Sequence, residues 1–242
     1  MPYLVSCWGT GQFQAGALVR LAALALALSL WYMVLPAAPA VDIAFLGLVT
    51  AVLLGRYFDA IYRPPYPGVE TAILGHLALI QIAILVLLVE RRVPDAGFGF
   101  LPARRDCITG FLHYLYFLAI GFPLGLVLHV MRFGPPAPAW KIVATFVGIL
   151  WVVALSEEFF FRGVLQAWLE QWTGSRQVAL AATSLAFGAV HLPFRGFPNW
   201  RFALLAAIAG WFYGRARNQA GSVRASMVAH ALVVTTWRAV FV

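Results

Sequence analysis

The chain has 242 residues, of which 62% are hydrophobic and 11% charged, against roughly half apolar and a quarter charged in a soluble domain. A mean hydropathy of +0.85 over the whole length excludes an ordinary cytosolic fold, and it means that the apolar residues are not confined to one signal peptide or a single anchor. The formal charge of +8 comes from sixteen Arg and one Lys set singly or in pairs at the ends of apolar stretches, a distribution that suits lipid headgroups and excludes a nucleic-acid partner.

Near the start, Leu4-Val5-Ser6-Cys7 has the composition of a lipoprotein box but lacks the apolar h-region that must come before one. Arg20 and the apolar run after it, with Ala38-Pro39-Ala40 beyond, imitate a signal peptide. Seven further apolar spans make an uncleaved first helix the expectation. Cys7 and Cys107 lie in unrelated segments without metal-type spacing, so neither a disulfide framework nor a thiolate site is indicated.

Apolar stretches run from about 15–35, 41–58, 71–89, 107–130, 140–172, 177–192, 200–213 and 222–242. The breaks carry Pro, Gly and Arg, as in Arg63-Pro64-Pro65-Tyr66-Pro67-Gly68, Arg91-Arg92-Val93-Pro94-Asp95 and Gly134-Pro135-Pro136-Ala137-Pro138. At about 20 residues per span, the expected fold is all-α: a polytopic integral membrane protein with about eight transmembrane helices. A single transmembrane domain over residues 1–242 follows, with no room for a separate soluble one. Alternate loops carry nearly equal numbers of basic residues, so the positive-inside rule gives no orientation. The Arg-heavy, Lys-poor composition points to a GC-rich bacterial genome and so to the inner membrane.

The fifth stretch contains an anomaly, Ser156-Glu157-Glu158-Phe159-Phe160-Phe161-Arg162-Gly163. Each ionisable group near a helix centre costs about 2.5–3.5 kcal/mol by insertion scales, so three together need a role or partners. Glu158 and Arg162 are four apart and can pair in the favourable order. Glu157 points about 100° away on an α-helix and is left over. Two imidazoles, His191 and His230, also lie in apolar stretches. Thr173-Gly174-Ser175 reads as the turn of a helical hairpin, with Glu157 lying 17 residues before Gly174 and His191 17 after it. An antiparallel pair sets them level, about 25 Å from the turn. His230 is only about 12 Å into its helix. The levels agree if the fifth helix projects past the bilayer, which its polar Gln166, Glu170 and Gln171 suit. All three groups then meet within the membrane.

A carboxylate and two imidazoles in a dry site suit water activation: the glutamate takes a proton from water, one histidine holds or polarises it, and the second donates to the oxyanion of a tetrahedral intermediate. The rival use is a zinc site, since two His and one Glu form a standard three-ligand set with an open position. No His-Glu-x-x-His helix supports it, and no cofactor is expected.

These residues resemble the CPBP (CAAX protease and bacteriocin-processing, or Abi) intramembrane endopeptidases. The family motif Glu-Glu-x-x-x-Arg appears as Glu157-Glu158 with Arg162, and Phe-x-x-x-His as Phe187 with His191. Gly210, Tyr213, Gly221-Ser222 and His230-Ala231-Leu232 look like the approach to its last helix. The resemblance covers about 140–242. It implies a CAAX-protease-like helical bundle in which Glu157 and His191 activate water, Glu158 and Arg162 position, and His230 serves the oxyanion. The expected substrate is a membrane-associated protein or peptide, cleaved near its C-terminus or in its membrane segment. Relatives act on prenylated CAAX proteins or bacteriocin leaders, or resemble processing enzymes for C-terminal sorting anchors. The family's third motif, His-x-x-x-Asn, is broken: Val234 stands where the asparagine belongs, with Thr235 and Thr236 beside it as substitutes only if the helix is shifted. Two other classes use the same groups, namely a non-catalytic membrane scaffold or immunity protein, and a proton-coupled transporter with a Glu/His relay. No inverted repeat supports transport.

Overall fold

A computed structural model describes residues 2–64, 66, 70–94 and 96–241. Pro65, Pro67, Gly68 and Asp95 of the expected loops, and Val242, lie outside these residues. The described residues form ten helices, in two compact units, Met1–Val93 and Pro94–Val242.

The first unit holds α1 (Pro2–Thr10), α2 (Ala15–Ser29), α3 (Trp31–Val34), α4 (Pro39–Leu54) and α5 (Ile73–Glu90). The Pro36-Ala37-Ala38-Pro39 run separates the first apolar stretch from the second: Ala38 is extended and Pro39 opens α4, where its missing N–H costs nothing. Asp42, in the first turn of α4, is wholly buried and would be untenable alone. Arg91 clasps it through Nε and Nη2, each at 2.8 Å, and the Tyr32 hydroxyl donates to it at 2.9 Å.

The second unit holds α6 (Arg104–Val127), α7 (Ala139–Thr173), α8 (Arg176–Ala189), α9 (Trp200–Ala220) and α10 (Val223–Val240). α10 is its axis. Ala225, Ser226, Ala229 and Ala231 are small enough for α6, α7 and α9 to pack around it, and its buried positions run from Val223 to Ala239. α8 closes the unit against α7 and α9. Hairpin turns are built by local chemistry. Gly174 takes φ +66°, open to glycine without strain, and Ser175 then caps α8 by accepting from the Val178 N–H. Ser222 caps α10 in the same way, accepting from the Arg224 N–H.

Each of the eight apolar stretches becomes helical, and α1 precedes them. Among the described residues three helices, Ile73–Glu90, Arg104–Val127 and Ala139–Thr173, are long and apolar enough to cross a membrane, with shorter apolar helices at Ala15–Ser29 and Pro39–Leu54. α6 and α7 leave Ile108, Leu115, Ile120, Trp140, Val143 and Val147 exposed, a surface compatible with lipid rather than water. α9 outruns the expected 200–213 by two turns because Arg217 and Asn218, polar in sequence, find partners beside it.

One close helix approach in this unit is α6 on α10, where a Cβ at Gly110 would stand 2.6 Å from the Ala225 carbonyl oxygen and 2.7 Å from Val228. Gly110→Ala is expected to lower stability by about 1–3 kcal/mol, read as a fall in the thermal midpoint of the purified protein in detergent.

Candidate active site

α7 is not a regular helix. Its turns widen to π geometry at Ile149–Ala154 and at Phe159–Leu165, and the α-helical stretch between, Leu155–Glu158, carries both glutamates. Such widened turns recur at functional sites because the i→i+5 bonding changes where side chains point. Ser156 reinforces the first of them, its hydroxyl reaching back to the Val152 and Val153 carbonyls at 2.9 Å each.

Glu158 and Arg162 are both fully buried. Arg162 Nη1 donates to Glu158 Oε1 at 3.3 Å. Its Nε lies 3.2 Å from Oε2, close enough for an ion contact but not aligned as a hydrogen bond. Nη2 donates across to the Gly210 carbonyl at 3.0 Å. That approach requires glycine, since a Cβ there would lie 2.9 Å from Nη2. The guanidinium also sits over aromatic rings, 4.3 Å from Phe187, 5.5 Å from Tyr213 and 5.6 Å from Phe161. The same carboxylate holds His230, whose Nδ1 is 2.8 Å from Oε1. A carboxylate only accepts, which places a proton on Nδ1. Tyr213 stacks on that imidazole at 4.8 Å and 11°.

His191 lies two residues beyond the end of α8. Its Nδ1 is 2.6 Å from the Phe187 carbonyl, so Nδ1 carries the proton and Nε2 keeps its lone pair. The Phe187 ring touches both histidines, 4.7 Å from His191 and 5.9 Å from His230. Glu157 stands apart from this web: its Oε2 is shielded from solvent and has no hydrogen-bond partner among the described residues.

The five residues singled out in sequence are thus distributed differently from the simplest expectation. Glu158, Arg162 and His230 form one bonded cluster, His191 shares the Phe187 ring with them, and His230 is held by Glu158 rather than by Glu157. Tyr213 and Gly210, noted in sequence only as a family-like approach, turn out to support His230 and Arg162. Val234 packs beside the apolar cluster of Ile149, Leu150 and Ala154. The Thr235 hydroxyl is buried without a hydrogen-bond partner among the described residues, and Thr236 is engaged with the Tyr114 hydroxyl at 3.0 Å. No group of three His, Cys, Asp or Glu among the described residues is placed to hold a metal ion. His76 and His113 bond to backbone carbonyls of their own helical turns.

Removing one partner of a buried ion pair strands the other, at about 3–5 kcal/mol. Glu158→Gln should therefore depress the thermal midpoint sharply, whereas Glu157→Gln, which breaks no bond within the protein, should leave it unchanged.

Residues 138–236 match the family model described as type II CAAX prenyl endopeptidase, Rce1-like. Comparison with curated proteins and with solved structures gives no match. The matched segment spans α7 from its approach through most of α10 and contains every residue of the cluster, in a family of proteases that work within the membrane on protein or peptide substrates. Over residues 138–236 the chain is thus similar to the CPBP family of intramembrane endopeptidases, and its long apolar helices are those of an integral membrane protein.

Proposed function

We propose that the protein is a glutamate-type intramembrane endopeptidase that hydrolyses a peptide bond near the C-terminus or in the membrane segment of a membrane-associated protein. The observation that carries this reading is the contrast between adjacent glutamates: Glu158 is bonded through Oε1 to Arg162 and His230 and has its Oε2 in ion contact with Arg162 Nε, while Glu157 has a buried oxygen with neither hydrogen bond nor ion contact among the described residues. A buried acceptor left open needs a ligand such as water.

Water held between the Glu157 carboxylate and His191 Nε2 gives up a proton to the carboxylate as its oxygen attacks the scissile carbonyl carbon. The developing oxyanion takes a hydrogen bond from His230. Since Nδ1 is committed to Glu158, the donor is Nε2–H. The tetrahedral intermediate collapses as the C–N bond breaks and the proton held by Glu157 passes to the leaving amine. Tyr213 and Phe187 hold the imidazoles in place and restrict bulk water, which strengthens each electrostatic contact. Nothing in this sequence of steps requires a metal ion. A zinc-dependent route predicts stoichiometric bound metal and loss of activity on chelation, and a metal-free active preparation would dismiss it.

One observation favours a second reading, a non-catalytic scaffold or immunity protein: the position of the second oxyanion donor is apolar, Val234 lying against the Ile149 cluster. Loss of one such donor costs about 10²–10³ in rate, which slows an enzyme without abolishing it. The two readings separate in cells carrying wild type, Glu157→Gln or no protein, by following membrane and secreted polypeptides that retain an uncleaved C-terminal segment. Glu157→Gln is expected to match the deletion while being present at wild-type level; a match to wild type would leave the scaffold. In purified protein with the substrate so found, Val234→Asn should raise the cleavage rate, by up to about 10². An unchanged rate would remove Val234 as the limiting position.

A further inference from the structure

The segment that follows His191 carries a cation against the wall of the candidate site. Residues 191–199 fold back on themselves at the end of α8: the Asn199 N–H donates to the Leu192 carbonyl at 2.8 Å, and the Asn199 side-chain amide donates to the Phe194 carbonyl at 2.9 Å, which pins the loop between them. Arg195 stands in this loop with a left-handed backbone, φ 56°, uncommon for a residue with a side chain. Its guanidinium lies over two rings, 5.4 Å from Phe194 in the loop and 5.8 Å from Trp237 on α10. One further ring joins both to the site: Phe202 stacks on Phe194 at 4.4 Å, meets Trp237 at 5.2 Å and packs against the His191 imidazole at 5.6 Å. Trp237 itself lies two turns beyond His230, on the same face of α10.

This cation has no answering charge within the protein. Residues 171–242 contain seven Arg and neither Asp nor Glu. Earlier in the same unit Asp106 is committed to Arg224, Glu158 to Arg162 and His230, and Glu170 to Arg176. The Arg195 side chain is exposed and makes neither hydrogen bond nor ion pair among the described residues. Rings hold it in place but offer no oxygen, so its five N–H donors, a rigid fork that matches a carboxylate, are without an acceptor from the chain. The distance to the chemistry is short. Steps of 5.6, 4.4 and 5.4 Å lead from His191 through Phe202 and Phe194 to the guanidinium, so an extended polypeptide crosses from the imidazole to the fork in no more than about four residues. Every polypeptide supplies one carboxylate whatever its side chains, at its C-terminus, and the proposed reaction cuts near that end. A headgroup phosphate is available all around a membrane protein, whereas a fork mounted on the same ring as His191 is placed for an anion that arrives with the substrate.

We propose that Arg195 is a specificity-determining residue that binds the C-terminal carboxylate of the substrate, so that the bond presented to Glu157 and His191 lies within about four residues of a free chain end. The proposal rests on the protease reading, and its test separates the two. Full-length Glu157→Gln protein in nanodiscs of phosphatidylcholine is offered a randomised pool of apolar peptides of about ten residues, long enough to exceed the four-residue reach, as an equal mixture of free acids and C-terminal amides. The retained peptides are identified by mass spectrometry. The acid form should be retained about tenfold over the amide, the scale of one charge-assisted hydrogen-bonded pair. Arg195→Gln in the same background should retain both forms equally, and Arg195→Lys, which keeps the charge without the fork, should keep part of the preference. Arg195 is exposed, so neither substitution disturbs the packing, which an unchanged thermal midpoint checks. Arg201→Gln, which alters a guanidinium lying over Trp200, should match the parent. Retention of neither form, equal retention of both by the parent, or an acid preference that survives Arg195→Gln would each overturn the proposal. Loss of the preference when phosphatidylglycerol replaces phosphatidylcholine would overturn it in favour of a lipid phosphate on Arg195. Acid-selective retention that depends on Arg195, with no cleavage of the same peptides once Glu157 is restored, keeps the binding residue and dismisses the protease reading instead.

Discussion

A carboxylate with 0% exposure in the middle of a membrane protein's helical unit has to be neutralised by its surroundings, and most of the second unit is arranged around doing that for Glu158. The idealised penalty of burying one such ion is several kcal/mol even after relaxation. Two cationic or proton-donating side chains from two helices answer it, Arg162 within α7 and His230 from α10. Arg162 in turn needs its own remaining donors satisfied, which draws in the Gly210 carbonyl of α9 and the faces of Phe161, Phe187 and Tyr213. The ionic centre therefore dictates where small residues must sit on α9 and α10, and it fixes three helices against one another more specifically than apolar packing would.

The same arrangement separates two chemically identical neighbours. Glu158 is immobilised by two bonds to Oε1 and an ion contact at Oε2; Glu157 is held one residue away by the same backbone, and its buried Oε2 has no hydrogen-bond partner among the described residues. Rigidity in the first is what makes openness in the second useful, because a base that activates water must be positioned without being occupied. His191 and His230 repeat the division. Each surrenders Nδ1 to an acceptor, a backbone carbonyl in one case and a carboxylate in the other, and each thereby has Nε2 as its other ring nitrogen for chemistry. A backbone carbonyl fixes one ring and a side-chain carboxylate the other, so two equal side chains are held in unequal surroundings.

Much of this was legible from residue type and spacing. Glu158 and Arg162 at four apart and the Gly174 hairpin turn follow from helical geometry and hold in three dimensions. What spacing could not reveal is which glutamate meets His230, since the regular 100° step used to separate Glu157 from Glu158 is disturbed on both sides by widened turns that no residue pattern announces. Tyr213 and Gly210 carried no polar signal toward the site; one acts through a ring face and the other through the absence of a side chain. The extension of α9 to Ala220 was hidden for the opposite reason. Arg217 and Asn218 read as the end of an apolar stretch, yet both are integrated through bonds to α7. Helix α1 was missed because nine residues with a serine and a glycine fall below any length or hydropathy signal.

The widened turns of α7 also leave that helix with an alternative. If the turn at Phe159–Leu165 tightened to α geometry, the segment toward Thr173 would lengthen and swivel relative to the glutamates, carrying Gln166 away from Asn218 and Glu170 away from Arg217. Those two bonds act as a torsional latch. The aim of the glutamate pair is thus set in part three turns away, at the polar end of the helix, by whatever tightens or loosens that grip.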